Sequence, residues 1–208
     1  MIKFIYFDVG GVVVKDFSAS NKWKELQHEL GVSAENEEKF QQVWMKYRSK
    51  ICVDYDIEKL IPVLNSEVGL SIPSNYSLLN GFISRFEKNE SIWPIIEKVK
   101  KSTKMGLLTN MYVNMFEHIQ KKGILPQVKW DKVVDSSVVR LQKPDKALFE
   151  FAEKEVQIDG KDILFIDNQE KHVLAAKQCG WQAYVYDSAD YVKSSRQLEE
   201  FFEHVGVI

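Results

Sequence analysis

Short apolar runs and longer amphipathic segments alternate along most of the 208-residue chain. Five of the runs have the length and the β-branched or aromatic content of buried strands; they are Phe4–Phe7, Met105–Leu108, Lys132–Val134, Ile163–Ile166 and Ala183–Tyr186. Amphipathic patterns of helical period separate or follow the later runs, at Ile92–Lys101, Met115–Lys122, Pro144–Glu155, His172–Gln178 and Ser195–Val205. This alternation predicts an α/β fold of the Rossmann-like, three-layer type, with a parallel sheet between two layers of helices.

Residues 15–89 follow a different pattern, because they contain no strand-like run and carry several helical stripes of apolar and aromatic side chains. Pro62 is expected to kink the third of these helices or to shift its start. We therefore predict that residues 15–89 form a helical-bundle cap, inserted into a core domain made of residues 1–14 and 90–208. The aromatic stripes are more typical of a bundle core than of a cofactor site.

Composition and charge exclude several classes of protein. The chain is 45% hydrophobic and 28% charged, and its 28 basic and 30 acidic residues give a formal net charge of −2. This balance offers no electrostatic attraction for nucleic acid or for an anionic membrane, and no apolar run approaches the ~20 residues that span a bilayer. Two cysteines without disulfide or metal-ligand spacing are typical of a reducing compartment. We expect a cytoplasmic protein, monomeric or homodimeric, that binds neither nucleic acid nor membrane.

Polar residues stand where three of the predicted strands end, and Lys143 stands just before the helix predicted to begin at Pro144. In a parallel sheet such residues meet at one edge, where ligands bind. Two carboxylates there can share a hard divalent cation, while a hydroxyl and an ammonium group can hold phosphoryl oxygens. The pattern therefore indicates a phosphate-handling site, whose candidate residues are Asp8, Thr109, Asn110, Lys143, Asp167 and Asn168.

Four short motifs carry a family resemblance over essentially the whole chain. They are "YFDVGGVV", "LLTN", "KPD" and "FIDNQEKHVLAAKQCGW", in this order and on the expected elements. Together they resemble the motifs of the haloacid dehalogenase (HAD) superfamily of phosphotransferases and hydrolases. The resemblance is to the branch with a helical cap after the first motif, in which that motif reads DxGGV, as in sugar-phosphate phosphatases.

The resemblance implies a role for each candidate residue. Asp8 would be the nucleophile that forms an aspartyl-phosphate. A Mg²⁺ ion would be bound by the carboxylates of Asp8 and Asp167 and by the carbonyl oxygen of Gly10, with support from Asn168. The phosphoryl group would be held by Thr109 and the main chain of Asn110, and Lys143 would neutralise charge and orient Asp8.

Gly10 departs from the family pattern, because most phosphatases of this family carry a second Asp at that position as acid and base. Such assistance is worth ~10²–10⁴-fold in rate. We predict a Mg²⁺-dependent phosphatase of small phosphorylated metabolites such as sugar phosphates. If the acid is the only missing part, Gly10→Asp should raise turnover. Lys15 and Asp16 are candidates for a replacement acid, or simply the exposed start of the cap.

Two other functions stay open. In a 2-haloacid dehalogenase Asp8 would attack carbon, but the halide cradle usually needs an arginine from the start of the cap. Residues 15–35 contain none, and Arg48 and Arg85 come late. A degenerate family member would bind a phosphorylated ligand or a protein partner without turnover. In the fourth motif, Asn168 stands where the family often has Asp, and His172 is more typical of a packing residue than of a catalytic one.

Overall fold

The computed structural model describes all residues from 1 to 208. Its strands are β1 (Phe4–Phe7), β2 (Val14–Lys15), β3 (Glu87–Lys88), β4 (Lys104–Thr109), β5 (Lys132–Asp135), β6 (Ile163–Asp167) and β7 (Gln182–Val185). Five of them form one parallel sheet in the order β5-β4-β1-β6-β7, with β1 at its centre. All five strands predicted from the sequence are confirmed, each to within one residue at either end.

Ten α-helices surround and extend this sheet. They are α1 (Lys22–Glu29), α2 (Glu37–Ile51), α3 (Leu60–Val63), α4 (Leu78–Ser84), α5 (Trp93–Ser102), α6 (Met115–Lys121), α7 (Ser136–Val139), α8 (Lys146–Val156), α9 (Glu170–Gln178) and α10 (Tyr191–His204). None of them combines the length and the apolar character that a bilayer-crossing segment requires.

Alternate residues of β1 serve the two faces of the sheet, as the period of a strand requires. Phe4 and Tyr6 pack with apolar residues of α8 and α9, and the Tyr6 hydroxyl donates a hydrogen bond to the carbonyl oxygen of Ala152 in α8. Ile5 and Phe7 pack on the opposite face, with residues of α5, α6 and α10. Helices therefore cover both faces, and the predicted three-layer α/β fold is confirmed.

Residues 15–89 begin and end at a separate two-stranded ribbon. The two-residue strands β2 and β3 pair in antiparallel fashion, Val14 opposite Lys88 and Lys15 opposite Glu87. Helices α1 to α4 lie between them. The sequence pattern showed no strand here, because two-residue strands carry no periodicity. The ribbon lies at both predicted boundaries of the cap, and the division into two domains stays a prediction.

Several helices differ from the sequence prediction; α9 and α10, for example, begin two and four residues earlier than predicted. The helix expected to begin at Pro144 begins at Lys146, with Asp145 at its N-cap position, and a cis peptide bond joins Lys143 to Pro144. The helix predicted around Pro62 is irregular, since a 3₁₀ turn precedes α3 and a π turn follows it. Helix α7 was not predicted at all, because four residues are too few to show a helical period.

Candidate active site

The ammonium group of Lys143 lies between two carboxylates at the carboxyl end of the sheet. Its Nζ atom is 2.6 Å from Oδ2 of Asp167 and 2.9 Å from Oδ1 of Asp8, and all three residues are buried. The register of β1 and β6 places Phe7 opposite Ile166, so that Asp8 and Asp167 come next at the same level. The predicted convergence of these three residues is therefore found in the structure.

Burial and the neighbouring charges shift the pKa values of this cluster, and they favour the charged forms of Lys143 and Asp167. Burial alone would lower the pKa of Lys143, but the two carboxylates raise it above its ordinary value. Burial likewise opposes the ionisation of Asp167, but Lys143 and His172 bring the pKa of Asp167 below its usual range. The pKa of Asp8 is raised, chiefly by burial, since Lys143 lies nearer to the other carboxylate. Lys143 is therefore a fixed positive charge in a site with little water.

His172 lies in the site and contacts Asp167, a contact that the sequence analysis did not predict. Its Nδ1 atom lies 3.1 Å from Oδ2 and 3.2 Å from Oδ1 of Asp167. Burial lowers the pKa of His172, so the neutral ring donates its Nδ1 proton to the carboxylate. The backbone N–H of Gln169 also donates to Asp167, at 2.7 Å. The sequence signal was present, because in the related motif a polar residue stands five positions after the Asp.

Asn110 holds Lys143 in place through the main chain. Its side-chain Nδ2 donates to the carbonyl oxygen of Lys143 at 2.9 Å, and its Oδ1 accepts the N–H of Lys143 at 2.8 Å. The Asn110 side chain is thus engaged, and only its main chain is left for the predicted contact with a phosphoryl group. Thr109, at the end of β4, is buried and lines the same cavity as Asp8.

The two glycines after Asp8 are required because other side chains lie directly on them. A Cβ atom on Gly11 would collide with the side chains of Asn168 and Ser18, and Gly11 has a φ of +79°. A Cβ atom on Gly10 would lie 2.7 Å from Oδ2 of Asp16. Any larger residue at either position would have to displace these neighbours.

The residues present fit a hard cation such as Mg²⁺. Asp8, Asp167 and His172 each offer a ligand atom within 4.8 Å of the others, so this group could hold a metal ion. The Asn168 side chain donates through Nδ2 to Oγ of Ser18 at 2.9 Å, while its Oδ1 is buried without a hydrogen-bond partner. A buried oxygen that accepts no hydrogen bond, on the residue next to Asp167, suits a cation or its bound water.

A cavity of about 630 Å³ opens above the buried charges. Its floor includes Asp8 and Thr109 at the ends of β1 and β4 and Lys143 from the loop before α8, while residues of the 15–89 segment form much of its wall. Aromatic side chains are prominent in that wall, among them Trp23, Trp44 and Phe82. The cavity is large enough for a small organic molecule, and it brings that molecule to the carboxylate of Asp8.

Comparison with known proteins defines the class of this chain. A model of the haloacid dehalogenase-like hydrolase family matches residues 2–180, which is most of the sequence. The chain belongs to this family, and it is a HAD-like hydrolase.

Two solved structures place the fold among HAD enzymes. A HAD-family enzyme from Bacteroides thetaiotaomicron, solved as a mutant in complex with magnesium and inorganic phosphate, is 16% identical; the match covers 91% of this chain and 96% of that one, with a TM-score of 0.72. A 2-haloacid dehalogenase from Pseudomonas syringae pv. Tomato DC3000 is also 16% identical, over 97% of this chain and 100% of that one, with a TM-score of 0.60. At such identities the likeness concerns the fold alone.

One curated relative matches a shorter segment. Drimenol cyclase from Aspergillus calidoustus is 30% identical over 73 residues, which are 35% of this chain. The match spans only 13% of the length of that relative.

Proposed function

We propose that this hydrolase is a Mg²⁺-dependent phosphatase that transfers the phosphoryl group of a small phosphorylated metabolite to Asp8. The observation that carries this proposal is the buried Asp8–Lys143–Asp167 cluster at the floor of an open cavity. A lysine fixed between two carboxylates places positive charge where a phosphoryl group would arrive. Asp8 faces the cavity, where its carboxylate can attack the phosphorus atom of a bound substrate.

The chain's own residues have distinct tasks in this proposal. Asp8 attacks phosphorus and forms the aspartyl-phosphate. Lys143 orients Asp8 and attracts the phosphoryl oxygens, while the Thr109 hydroxyl and the Asn110 main chain donate hydrogen bonds to them. Asp8, Asp167, Asn168 and the Gly10 carbonyl would hold Mg²⁺, and His172 would fix the orientation of Asp167. When bound, the ion would neutralise charge on the phosphoryl group.

Residues 15–89 act as a helical cap in this proposal, and the chain then belongs to the HAD branch with a DxGGV first motif. The cap supplies the aromatic wall of the cavity. Aromatic faces suit the apolar face of a sugar ring as well as a hydrocarbon group. Sugar phosphates and small organic phosphates are therefore the substrate classes to test.

A panel of phosphorylated metabolites, assayed with and without Mg²⁺, tests the proposal. p-Nitrophenyl phosphate is included because its good leaving group needs no acid. The blank is Asp8→Asn, which keeps the size of the side chain but removes its nucleophilic charge. Phosphate release that depends on both Mg²⁺ and Asp8 is the expected result. Release that persists in Asp8→Asn would contradict the proposed chemistry.

Dehalogenation is a second candidate, favoured by the position of Arg48. Although this arginine comes late in the cap, it lines the same cavity as Asp8, where a cation could accept a halide. Chloride release from 2-chloropropionate, without phosphatase activity, would support this function. If both assays are silent but phosphate mimics stabilise the protein only with Mg²⁺, the chain binds a phosphorylated ligand without turnover.

A further inference from the structure

The carboxylate of Asp16 occupies the space that a side chain at position 10 would take. Asp16 follows directly after β2, and a Cβ atom built on Gly10 would lie 2.7 Å from its Oδ2 and 3.4 Å from its carboxyl carbon. Gly10 is not among the residues with positive φ, so the backbone conformation does not exclude other residues. The Asp16 side chain is therefore the neighbour that any side chain at position 10 would have to displace.

Asp16 is free to act in the cavity. Its Oδ1 accepts the backbone N–H of Ser18 at 2.8 Å, which fixes the direction of the side chain. The Ser18 side chain is also a hydrogen-bond partner of this carboxylate. Nearby Lys22 forms its ion pair with Glu87 instead. Asp16 is half-buried and lines the same cavity as Asp8.

Hydrolysis of a phosphate ester through Asp8 needs a second group that handles protons. The leaving oxygen must gain a proton, and the water that later attacks the aspartyl-phosphate must lose one. Lys143 is held by two carboxylates, and His172 by Asp167. Asp16 is the remaining carboxyl group of the cavity lining. Resting on the phosphatase function proposed above, we propose that Asp16 is the general acid and base of this enzyme, reaching from the cap side into the place of a side chain at position 10.

The proton then follows a closed cycle. A carboxylate oxygen of Asp8 bonds to phosphorus while the bond from phosphorus to the ester oxygen breaks, and protonated Asp16 delivers its proton to that oxygen. The alcohol leaves. The Asp16 carboxylate next takes a proton from water, whose oxygen bonds to phosphorus as the bond to Asp8 breaks. Inorganic phosphate leaves, Asp8 is again a carboxylate, and Asp16 is again protonated.

The role of Asp16 is tested by comparing how its substitution changes kcat/KM for esters with poor and good leaving groups. Asp16→Asn keeps the shape and the turn but removes the acid, so kcat/KM for phenyl phosphate should fall by ~10²–10⁴-fold. For p-nitrophenyl phosphate, whose leaving group needs no proton, kcat/KM should change little. If Asp16→Asn folds poorly, Asp16→Ser serves instead, because serine can form the same turn.

Asp187→Asn is the matched control. Asp187 also accepts the backbone N–H two residues onward, from Ala189 at 2.9 Å, but it does not line the cavity. The Asp187→Asn variant should leave kcat/KM unchanged for both substrates. An equal loss on both substrates in Asp16→Asn would show a structural role for Asp16, and no loss on either would show no role; both results overturn the proposal.

Exchanging the two positions tests the geometry through stability as well as activity. Gly10→Asp alone should lower the melting temperature, because the new side chain collides with Asp16. The double variant Gly10→Asp, Asp16→Gly should recover most of the stability and the turnover of phenyl phosphate. This expectation reverses the one from the sequence, that Gly10→Asp alone raises turnover. A Gly10→Asp variant that is as stable as wild type and more active would refute the inference.

The two proposals fail separately. If Asp8→Asn keeps its activity, the phosphatase chemistry fails, whatever Asp16 does. If Asp8→Asn is inactive while Asp16→Asn loses nothing on phenyl phosphate, only the role of Asp16 fails.

Discussion

The floor and the wall of the cavity are built in different ways. On the floor, Asp8, Lys143 and Asp167 are buried, and each is held by at least two polar contacts. On the wall, Asp16 is half-buried with one backbone hydrogen bond, and Arg48 is exposed. Residues at strand ends receive their positions from the sheet, whereas residues in an inserted segment receive theirs from loop packing. The floor therefore holds the nucleophile and its charged neighbours in fixed positions, whereas the wall around Asp16 can vary with the substrate.

The largest loss of stability and activity is expected when Lys143, on the floor of the cavity, is replaced. Lys143→Met leaves two buried carboxylates without their cation, and breaking such a pair costs ~3–5 kcal/mol. We expect the free energy of unfolding, measured by urea titration without metal, to fall by about this amount, and phosphatase activity to vanish. Lys146→Met is the control, since Lys146 forms only an exposed pair with Glu150, and it should change nothing measurable. A Lys143→Met variant as stable as wild type would mean that the floor is not held by charge.

A smaller effect is expected for Asn110, which supports the floor indirectly. Asn110→Ala removes both hydrogen bonds to the Lys143 main chain and should cost ~1–3 kcal/mol of stability. If Asn110 positions Lys143, kcat should fall while KM changes little. Asn21→Ala is the control, because the Asn21 side chain makes no capping hydrogen bond. An increase in KM with unchanged kcat would instead indicate that the Asn110 side chain contacts substrate.

The smallest effect is expected for Arg48, an exposed residue of the wall. Arg48→Gln should leave stability unchanged, and it should reduce kcat/KM for phosphate esters by about 2- to 5-fold at most, the size expected of an exposed charge. Steady-state kinetics over the substrate panel measures this. A loss in kcat of several hundred-fold would place Arg48 among the reacting groups and would favour dehalogenation.

The same contrast explains what the sequence could predict. Asp8 and Asp167 were expected to meet, because each follows an apolar run and parallel strands end at one edge. The contact of Asp16 with Gly10 carries no periodic signal, since it depends on how the chain turns after β2. The contact of His172 with Asp167 was not predicted for a similar reason. Its place on a helix was visible, but the direction in which the first turn of α9 faces depends on where that helix begins.

The start of α8 shows the limit of local rules. Proline at the first helical position is a sound preference, and it predicted a helix from Pro144. In the structure, the main chain of Lys143 is instead bonded to Asn110, and α8 begins two residues later. Tertiary contacts that place Lys143 at the site thus override the local preference.

Trapping the covalent intermediate tests the central claim most directly. Wild-type protein and Asp16→Asn are mixed with Mg²⁺ and p-nitrophenyl phosphate, quenched in acid within the first turnovers, and digested for mass spectrometry. The account predicts a phosphoryl group on Asp8, more abundant in Asp16→Asn because hydrolysis of the intermediate lacks its base, and none in Asp8→Asn. Phosphate release without any phosphorylated Asp8, or with the phosphoryl group on another residue, would contradict it.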